Sequence, residues 1–498
     1  MIKKLLMFLI TLASVATTPV YASVKLDYST VETVTNRCFT EQKWDSVIVI
    51  GKKALHQHID YYYLRLRMGI SYYQKAEYFP AIIHLKKARQ FNSSDPMAGD
   101  YLYRAYFYTN RNEEARLLRA SMPREDRDTV LDKTGFVEQV HVESGYTISS
   151  DKSPSNLSTL MGKDSVYGER DLYGNSLYSN LGLKLRVSNR VGISIDYNYL
   201  NFTKTKYIQY VRNEDQLQSI TDSSWGKSYN YSFPWVIHDT SFTYHVMQHE
   251  AYVNASVALP FGIKIIPAFH WLHVSYTMVN PSYTRDTVSD TAFYTSYNST
   301  YHTFPFTRLT YSYARKDTAF NNYVASLRIS KDLGRLTLAL TGSWSDLNGK
   351  TQKQAGLSLT YFPFGNFNIY GSTSITGFMQ GSDSRLLYSQ VLGLKCTRWM
   401  WAEANFHYGN FTNSNILNGS VVYNNTDIID YRGGATLVFM AGRHLQFSLL
   451  YQYFRKESQQ LYYIKTQDPD THAIKETPQY KTNPYNTNTI IGGITWKL

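Results

Sequence analysis

Thirteen histidines are the side chains of this sequence best suited to metal or acid–base chemistry. Their spacing builds no site. His245 and His249 are four apart, but in an alternating, strand-like run, where that spacing gives one face and no metal-binding geometry. His302 lies in a polar stretch and adds no ligand set. No Gly-x-Ser-x-Gly elbow, His-Glu-x-x-His helix or phosphate loop occurs. The chain therefore reads as a non-enzyme with no metal and no other cofactor. The charged groups that do form a pattern are Lys184, Arg186, Asp196, Lys264, Arg328, Lys395 and Glu403, with His270 and His407. Alternation puts each on the face opposite a row of apolar residues. If the apolar row meets lipid, these residues line a lumen, because a charge facing the bilayer midplane costs a few kcal/mol. Their chemistry would be electrostatic: a network filling a narrow lumen, or a solute path biased towards anions by the basic excess.

The elements that must carry these residues are strands. In 336–341, Leu336, Leu338 and Leu340 oppose Thr337, Ala339 and Thr341. Leu181, Leu183, Leu185 and Val187 oppose Gly182, Lys184 and Arg186, and Val191, Ile193, Ile195 and Tyr197 oppose Gly192, Ser194 and Asp196. This period of two predicts fourteen strands, near 136–149, 174–188, 190–203, 241–258, 263–279, 319–331, 335–347, 350–362, 366–380, 385–398, 400–412, 426–440, 444–458 and 486–498. Alternate connections are tight, as at Leu259-Pro260-Phe261-Gly262, Lys331-Asp332-Leu333-Gly334 and Phe362-Pro363-Phe364-Gly365. On the other side, 150–173, 204–240, 280–318, 413–425 and 459–485 read as long polar loops, while two connections, near 346–349 and 381–383, are tight. Two loop classes on opposite sides, an even strand count and the aromatic Trp496 in the last strand predict a transmembrane antiparallel β-barrel of the outer-membrane type, about 14 strands, with its tight turns in the periplasm. Phe261, Phe364, Trp399, Trp401 and Trp496 are expected to form the girdle at the turn end. No internal stretch has the ~20 apolar residues of a membrane helix.

Aromatics make up 15% of the chain and tyrosines number 44, which is where the outer loops draw their character. Tyr283, Tyr294, Tyr297, Tyr301, Tyr311 and Tyr313 lie among serines and threonines. Tyrosine offers contact area with a polar tip at low entropy cost. Such loops suit a glycan or protein contact, or pack on one another and lid the barrel. The net charge of +12 is dispersed rather than gathered in a basic tract. Outer-membrane lipid, lipopolysaccharide or another acidic polymer is the expected counter-charge, and nucleic acid is not an expected partner.

The amino terminus carries a targeting signal. Lys3-Lys4 precede the apolar run Leu5 to Ile10, and Val20-Tyr21-Ala22 supply a cleavage site, so 1–22 reads as a signal peptide. Cys38 and Cys396 fall in different halves and are expected as isolated buried thiols without a disulfide. The strand-rich region is taken as 134–498.

Between them, 23–133 is helical and repetitive. Lys52-Lys53-Ala54 recurs as Lys86-Lys87-Ala88, Trp44 as Tyr78, Tyr72 as Tyr106 and Ala81 as Ala115, each 34 residues on. Met68-Gly69, Tyr72, Ala76, Tyr78, Ala81, Leu85 and Ala88 match the consensus positions of the tetratricopeptide repeat, which this segment resembles. The first copy has Cys38 and Val47 at the Tyr72 and Ala81 positions, and the third has Arg119 at that of Leu85. The resemblance implies two to three helical hairpins, with 124–133 as a partial cap, in the periplasm. It also implies a bound protein partner, periplasmic or membrane-embedded, with Tyr72, Tyr78 and Tyr106 as contacts. The domain order is similar to that of outer-membrane exporters of exopolysaccharide that join such repeats to a barrel. That implies a transport or secretion channel; the alternative is a non-conducting scaffold of an outer-membrane assembly.

Overall fold

The computed structural model describes residues 26–123, 135–151, 165–213, 216–224, 226–232, 234–295, 300–467 and 474–498. The expected signal peptide, the partial cap and Tyr297 lie outside these ranges. The chain divides into two compact units, one ending at Ala105 and one running from Tyr106 to Leu498.

Among the described residues six helices come first: α1 (Tyr28–Thr40), α2 (Trp44–His56), α3 (Tyr62–Gln74), α4 (Tyr78–Phe91), α5 (Pro96–Tyr108) and α6 (Asn112–Ala120). The 34-residue period is present in the backbone. Gln42, Ala76 and Asn110 all adopt positive φ, at 55°, 57° and 55°. The residue after each donates its N–H back across the helix end, Lys43 to Cys38, Glu77 to Tyr72 and Arg111 to Tyr106, which satisfies carbonyls that a helix end leaves open. Small residues mark close approach. A Cβ on Gly69 would lie 2.6 Å from Leu85, and one on Gly51 would lie 2.4 Å from Met68. Val47, Ala81 and Ala115, one period apart, are all buried.

The first unit contains a titratable group with a stability consequence. His84 is half-buried; its ring stacks on Tyr72 at 5.3 Å and its Nδ1 faces the Arg65 guanidinium at 3.1 Å. Burial, then the neighbouring guanidinium, pushes His84 down to about 4. The folded state keeps this imidazole neutral where the unfolded chain would protonate it. Its contribution is therefore complete above the ordinary histidine range near 6.5 and is lost as pH falls towards 4. Denaturation followed by helical circular dichroism is expected to lose on the order of 2–3 kcal/mol across that window. His84→Gln should flatten the profile, and an unchanged slope would exclude His84 as its source.

The barrel follows. Its fourteen strands are β1 (Val137–Ser149), β2 (Ser165–Arg186), β3 (Val191–Asn213), β4 (Trp235–Leu259), β5 (Ile263–Thr295), β6 (Thr300–Leu333), β7 (Leu336–Ser345), β8 (Gln352–Tyr361), β9 (Ile369–Gln380), β10 (Asp383–Lys395), β11 (Met400–Tyr408), β12 (Ile428–Ala441), β13 (Leu445–Gln467) and β14 (Ile474–Lys497). Neighbours pair antiparallel all the way round, and β1 pairs with β14 from Gln139↔Lys497 to Ser149↔Thr487. Closure leaves no ladder edge, as a bilayer requires. Among the described residues no helix is long and apolar enough to cross a membrane; the crossing is made by strands. The outward face is an apolar band that includes Leu181, Ile195, Leu338, Leu340, Leu392 and Ile494, all exposed, which is the lipid face of a transmembrane barrel. Phe261, Phe364, Trp399 and Trp496 project at the turn end and are more than half exposed. Trp401 does not join them. It shares the inward face of Glu403, with the Lys395 ammonium 4.9 Å from its ring centre.

Two sequence expectations about the loops are corrected. Most of 204–240, 280–318 and 459–485 is strand rather than loop, so β2–β6, β13 and β14 rise well beyond the short β7–β12. Above the membrane no lipid-facing apolar row is needed, and alternating Tyr, Thr and Ser keep their β preference without it. A further hairpin, Gln216–Ser223 with Gly226–Ser232, pairs onto β5. The second correction is that 409–427 does not extend outward.

Candidate functional site: the occluded lumen

The connection between β11 and β12 is a polar segment with a few apolar anchors, and it folds into the barrel. Phe411, Tyr423 and Ile429 are buried in a cluster with the inward Phe378 and Leu387. Asn415–Ile416 and Val421–Val422 form a miniature hairpin whose tip, Leu417-Asn418-Gly419, takes positive φ throughout. The tip is held by polar contacts from the opposite wall. The Asn418 carbonyl accepts from Ser326 Oγ at 2.7 Å and Tyr252 Oη at 3.2 Å, and Asn418 Nδ2 donates to the Ile266 carbonyl at 3.1 Å. The Gly419 carbonyl lies 2.7 Å from His270 Nδ1. A Cβ on Gly419 would approach Ser326 Oγ at 3.0 Å, so glycine permits this contact. Asn415 and Asn424 bond to Ser343 and Asn322 at 3.1 and 2.9 Å.

The tip divides the lumen. Beside β1–β4 is a cavity of about 360 Å³ lined by Gln139, His141, Lys184, Asp196, Tyr252 and Asn418 among others. Beside β6–β11 is one of about 130 Å³ lined by Arg328, hydroxyl side chains, His407 and the loop's Asn415 to Asn418.

At the turn end, α6 lies against the inward face of the wall. Glu113 is buried; its carboxylate pairs with Lys264 Nζ at 3.1 Å and accepts from Ser256 Oγ at 3.2 Å. Burial alone would raise this carboxyl, but Lys264, with Lys184 behind it, holds it below the usual glutamate range. Arg111 reaches Asp332 at 3.0 Å, and the buried Arg116 pairs with the buried Glu138, which also faces Lys184 at 3.5 Å. At the loop end the tall hairpins bend together. Tyr311 of β6 stacks on Tyr167 of β2 at 6.0 Å and meets Tyr210 of β3 at 4.0 Å, and Phe242 meets Tyr313 at 4.8 Å. Strands β3 and β6 are not neighbours in the sheet, so these contacts span the opening.

The predicted residues are distributed over these features. Lys184 and Lys264 serve α6. Asp196 pairs with His141 at 2.9 Å, Glu403 accepts from Tyr370 Oη at 2.7 Å, and Arg186 is half-buried. His270 is fully buried beneath the loop tip and faces Glu250 at 3.2 Å. His407 lies between Ser389 and Arg432 at 2.7 and 3.2 Å. Tyr311 and Tyr313 belong to the lid rather than to a free outer surface. Tyr283, Tyr294 and Tyr301 lie on the β5–β6 hairpin. Tyr72 and Tyr106 are only 4% and 5% exposed, so their rings offer little surface to a partner, whereas Tyr78 is half-buried. Cys38 is buried, but Cys396 is exposed in a turn, and the two form no disulfide. Sequence reasoning missed Glu138, Glu250 and the loop's Asn418. Alternation on β1 and β4 carried a signal for the two glutamates; none existed for Asn418.

No family model and no curated protein matches this sequence. Among solved structures the chain is similar to a Pseudomonas aeruginosa FadL homologue, at 8% identity and a TM-score of 0.39, covering 81% of this chain and 94% of that one. The Pseudomonas putida toluene transporter TodX gives 6% identity and a TM-score of 0.35 over 73% and 90%. A point mutant of MamA gives 15% identity and a TM-score of 0.19 over 22% and 77%.

Proposed function

We propose that this protein is a gated outer-membrane channel for small polar solutes, held shut by the inward loop 409–427. Its turn end faces the periplasm, and its helical repeats recruit a partner protein there. The observation that supports this reading is the chemistry of the closure. The loop tip is fastened by a handful of hydrogen bonds rather than by a continuous apolar core, and polar cavities remain on both sides of it. A lumen built only to be filled would pack to native density. A fourteen-strand barrel also falls between the filled small barrels and the open porins. Removing the tip's contacts frees a path without unfolding the wall.

The competing reading is a non-conducting scaffold, favoured by the additional closures at the turn end and in the lid. A reversible lock separates the two. A Cβ built on Gly419 lies 3.6 Å from the Ser326 Cβ, within the ~3.5–4.5 Å that a disulfide needs. In a chain with Cys38 and Cys396 replaced by serine, Ser326→Cys with Gly419→Cys should show bilayer conductance when reduced and lose it on oxidation. Conductance that persists with the disulfide formed, or that is absent in both states, rejects the gate.

A further inference from the structure

We infer that the smaller lumenal cavity, beneath the loop on the β6–β11 wall, is a binding site for a small oxyanion, a carboxylate or phosphate group. Among the described residues Arg328 is its only formally charged lining residue, and no carboxylate lines it. The guanidinium makes no ion pair or hydrogen bond among the described residues. That contrasts with Lys184, Lys264 and Asp196, each of which has a protein partner. A half-buried guanidinium without a counter-charge is costly unless a ligand supplies one.

The second observation is independent of charge. Ser358 is 7% exposed, lines the same cavity, and its buried Oγ has no hydrogen-bond partner among the described residues. Asn418 Oδ1, in the cavity roof, also lacks one. Buried polar atoms are nearly always satisfied, and an exception calls for a missing partner. Ser343, Ser372 and Ser374 add hydroxyls around the same space. A fork of guanidinium donors beside hydroxyl donors matches the planar or tetrahedral oxygens of a carboxylate or phosphate. A volume of about 130 Å³ limits the ligand to a few heavy atoms. Ser326, two residues earlier on β6, holds the loop tip, so the site lies on the turn-end side of the gate.

This deepens the channel reading by naming its solute class, but it is tested at equilibrium. Full-length protein in detergent is titrated by calorimetry with sodium glycerate, inorganic phosphate and uncharged glycerol. Saturable binding of glycerate, phosphate or both, with no binding of glycerol, is expected, and the two anions tell carboxylate from phosphate. Arg328→Gln should weaken binding at least about tenfold, Arg328→Lys less, and Ser358→Ala roughly tenfold. Unchanged affinity in Arg328→Gln with the strand circular dichroism intact, equal binding of glycerol, or no binding of either anion at about 20 mM overturns the site. Each can occur while the disulfide-locked conductance test succeeds, and that test can fail while the anion binds.

Discussion

Replacing residues 411–424 by a short glycine–serine linker is expected to raise single-channel conductance by about tenfold or more, because it removes the segment that divides the fourteen-strand lumen and leaves only the turn-end helix and the lid across it. Phe411 and Tyr423 must leave with the tip, since either alone would leave an apolar ring facing a polar lumen. The wall itself should survive: the β11–β12 ladder from Met400↔Phe439 to Tyr408↔Tyr431 does not use the loop. Loss of the contacts with Phe378 and Leu387 lowers thermal stability at the same time. Planar-bilayer recordings are the measurement, and a conductance no greater than that of the intact chain would show that the loop is not what blocks the path.

The second large effect is expected at the turn end. Glu113→Lys puts an ammonium where a buried carboxylate meets Lys264 at 3.1 Å, with Lys184 close behind. Removing one partner of a buried ion pair costs about 3–5 kcal/mol, and replacing it with a like charge costs more, so α6 should leave the wall. Trypsin then gains access to Arg116, which is 5% exposed in the docked helix. The reciprocal Lys264→Glu should restore protection. If cleavage at Arg116 is as slow in Glu113→Lys as in the parent chain, the pair does not hold the helix. Acid acts in the same direction. The folded carboxyl is held below the ordinary glutamate range, so its contribution is complete above that range and disappears as pH falls through the depressed value.

The wall was legible in the sequence because its signal is local. Alternation set the strands, and glycines such as Gly334, Gly381 and Gly442, at φ of 70°, 59° and 77°, marked turns that only a glycine-like backbone makes easily. The same alternation placed Lys184, Lys264 and Arg328 inward. It could not say what each would meet, because what they face comes from distant segments: Lys264 meets Glu113 of the helices, and Arg328 shares its cavity with Asn418 of the loop. Nor does a polar segment declare whether it turns outward into water or inward into a polar lumen, since both solvents accept the same residues. The tyrosine-rich stretches misled for a related reason. Lacking an apolar row they read as loops, yet Tyr, Thr and Ser alternate as well in a strand that leaves the membrane.

The β1–β14 seam governs how this molecule comes to exist. Thr147 and Thr489 touch across it at 2.8 Å although 342 residues separate them, whereas the other seams join strands adjacent in sequence, apart from the short β2–β13 ladder from Gln460↔Arg170 to Ile464↔Ser165. By loop-closure entropy the extra separation costs little, about 0.6 kcal/mol per doubling. Its cost is in time. The thirteen pairings between consecutive strands can form as hairpins while the chain is being delivered, but the ring cannot shut until both ends are present. Until then two long strand edges stand open to wrong partners. Assembly should therefore be limited by a single late event, the meeting of the first strand with the last.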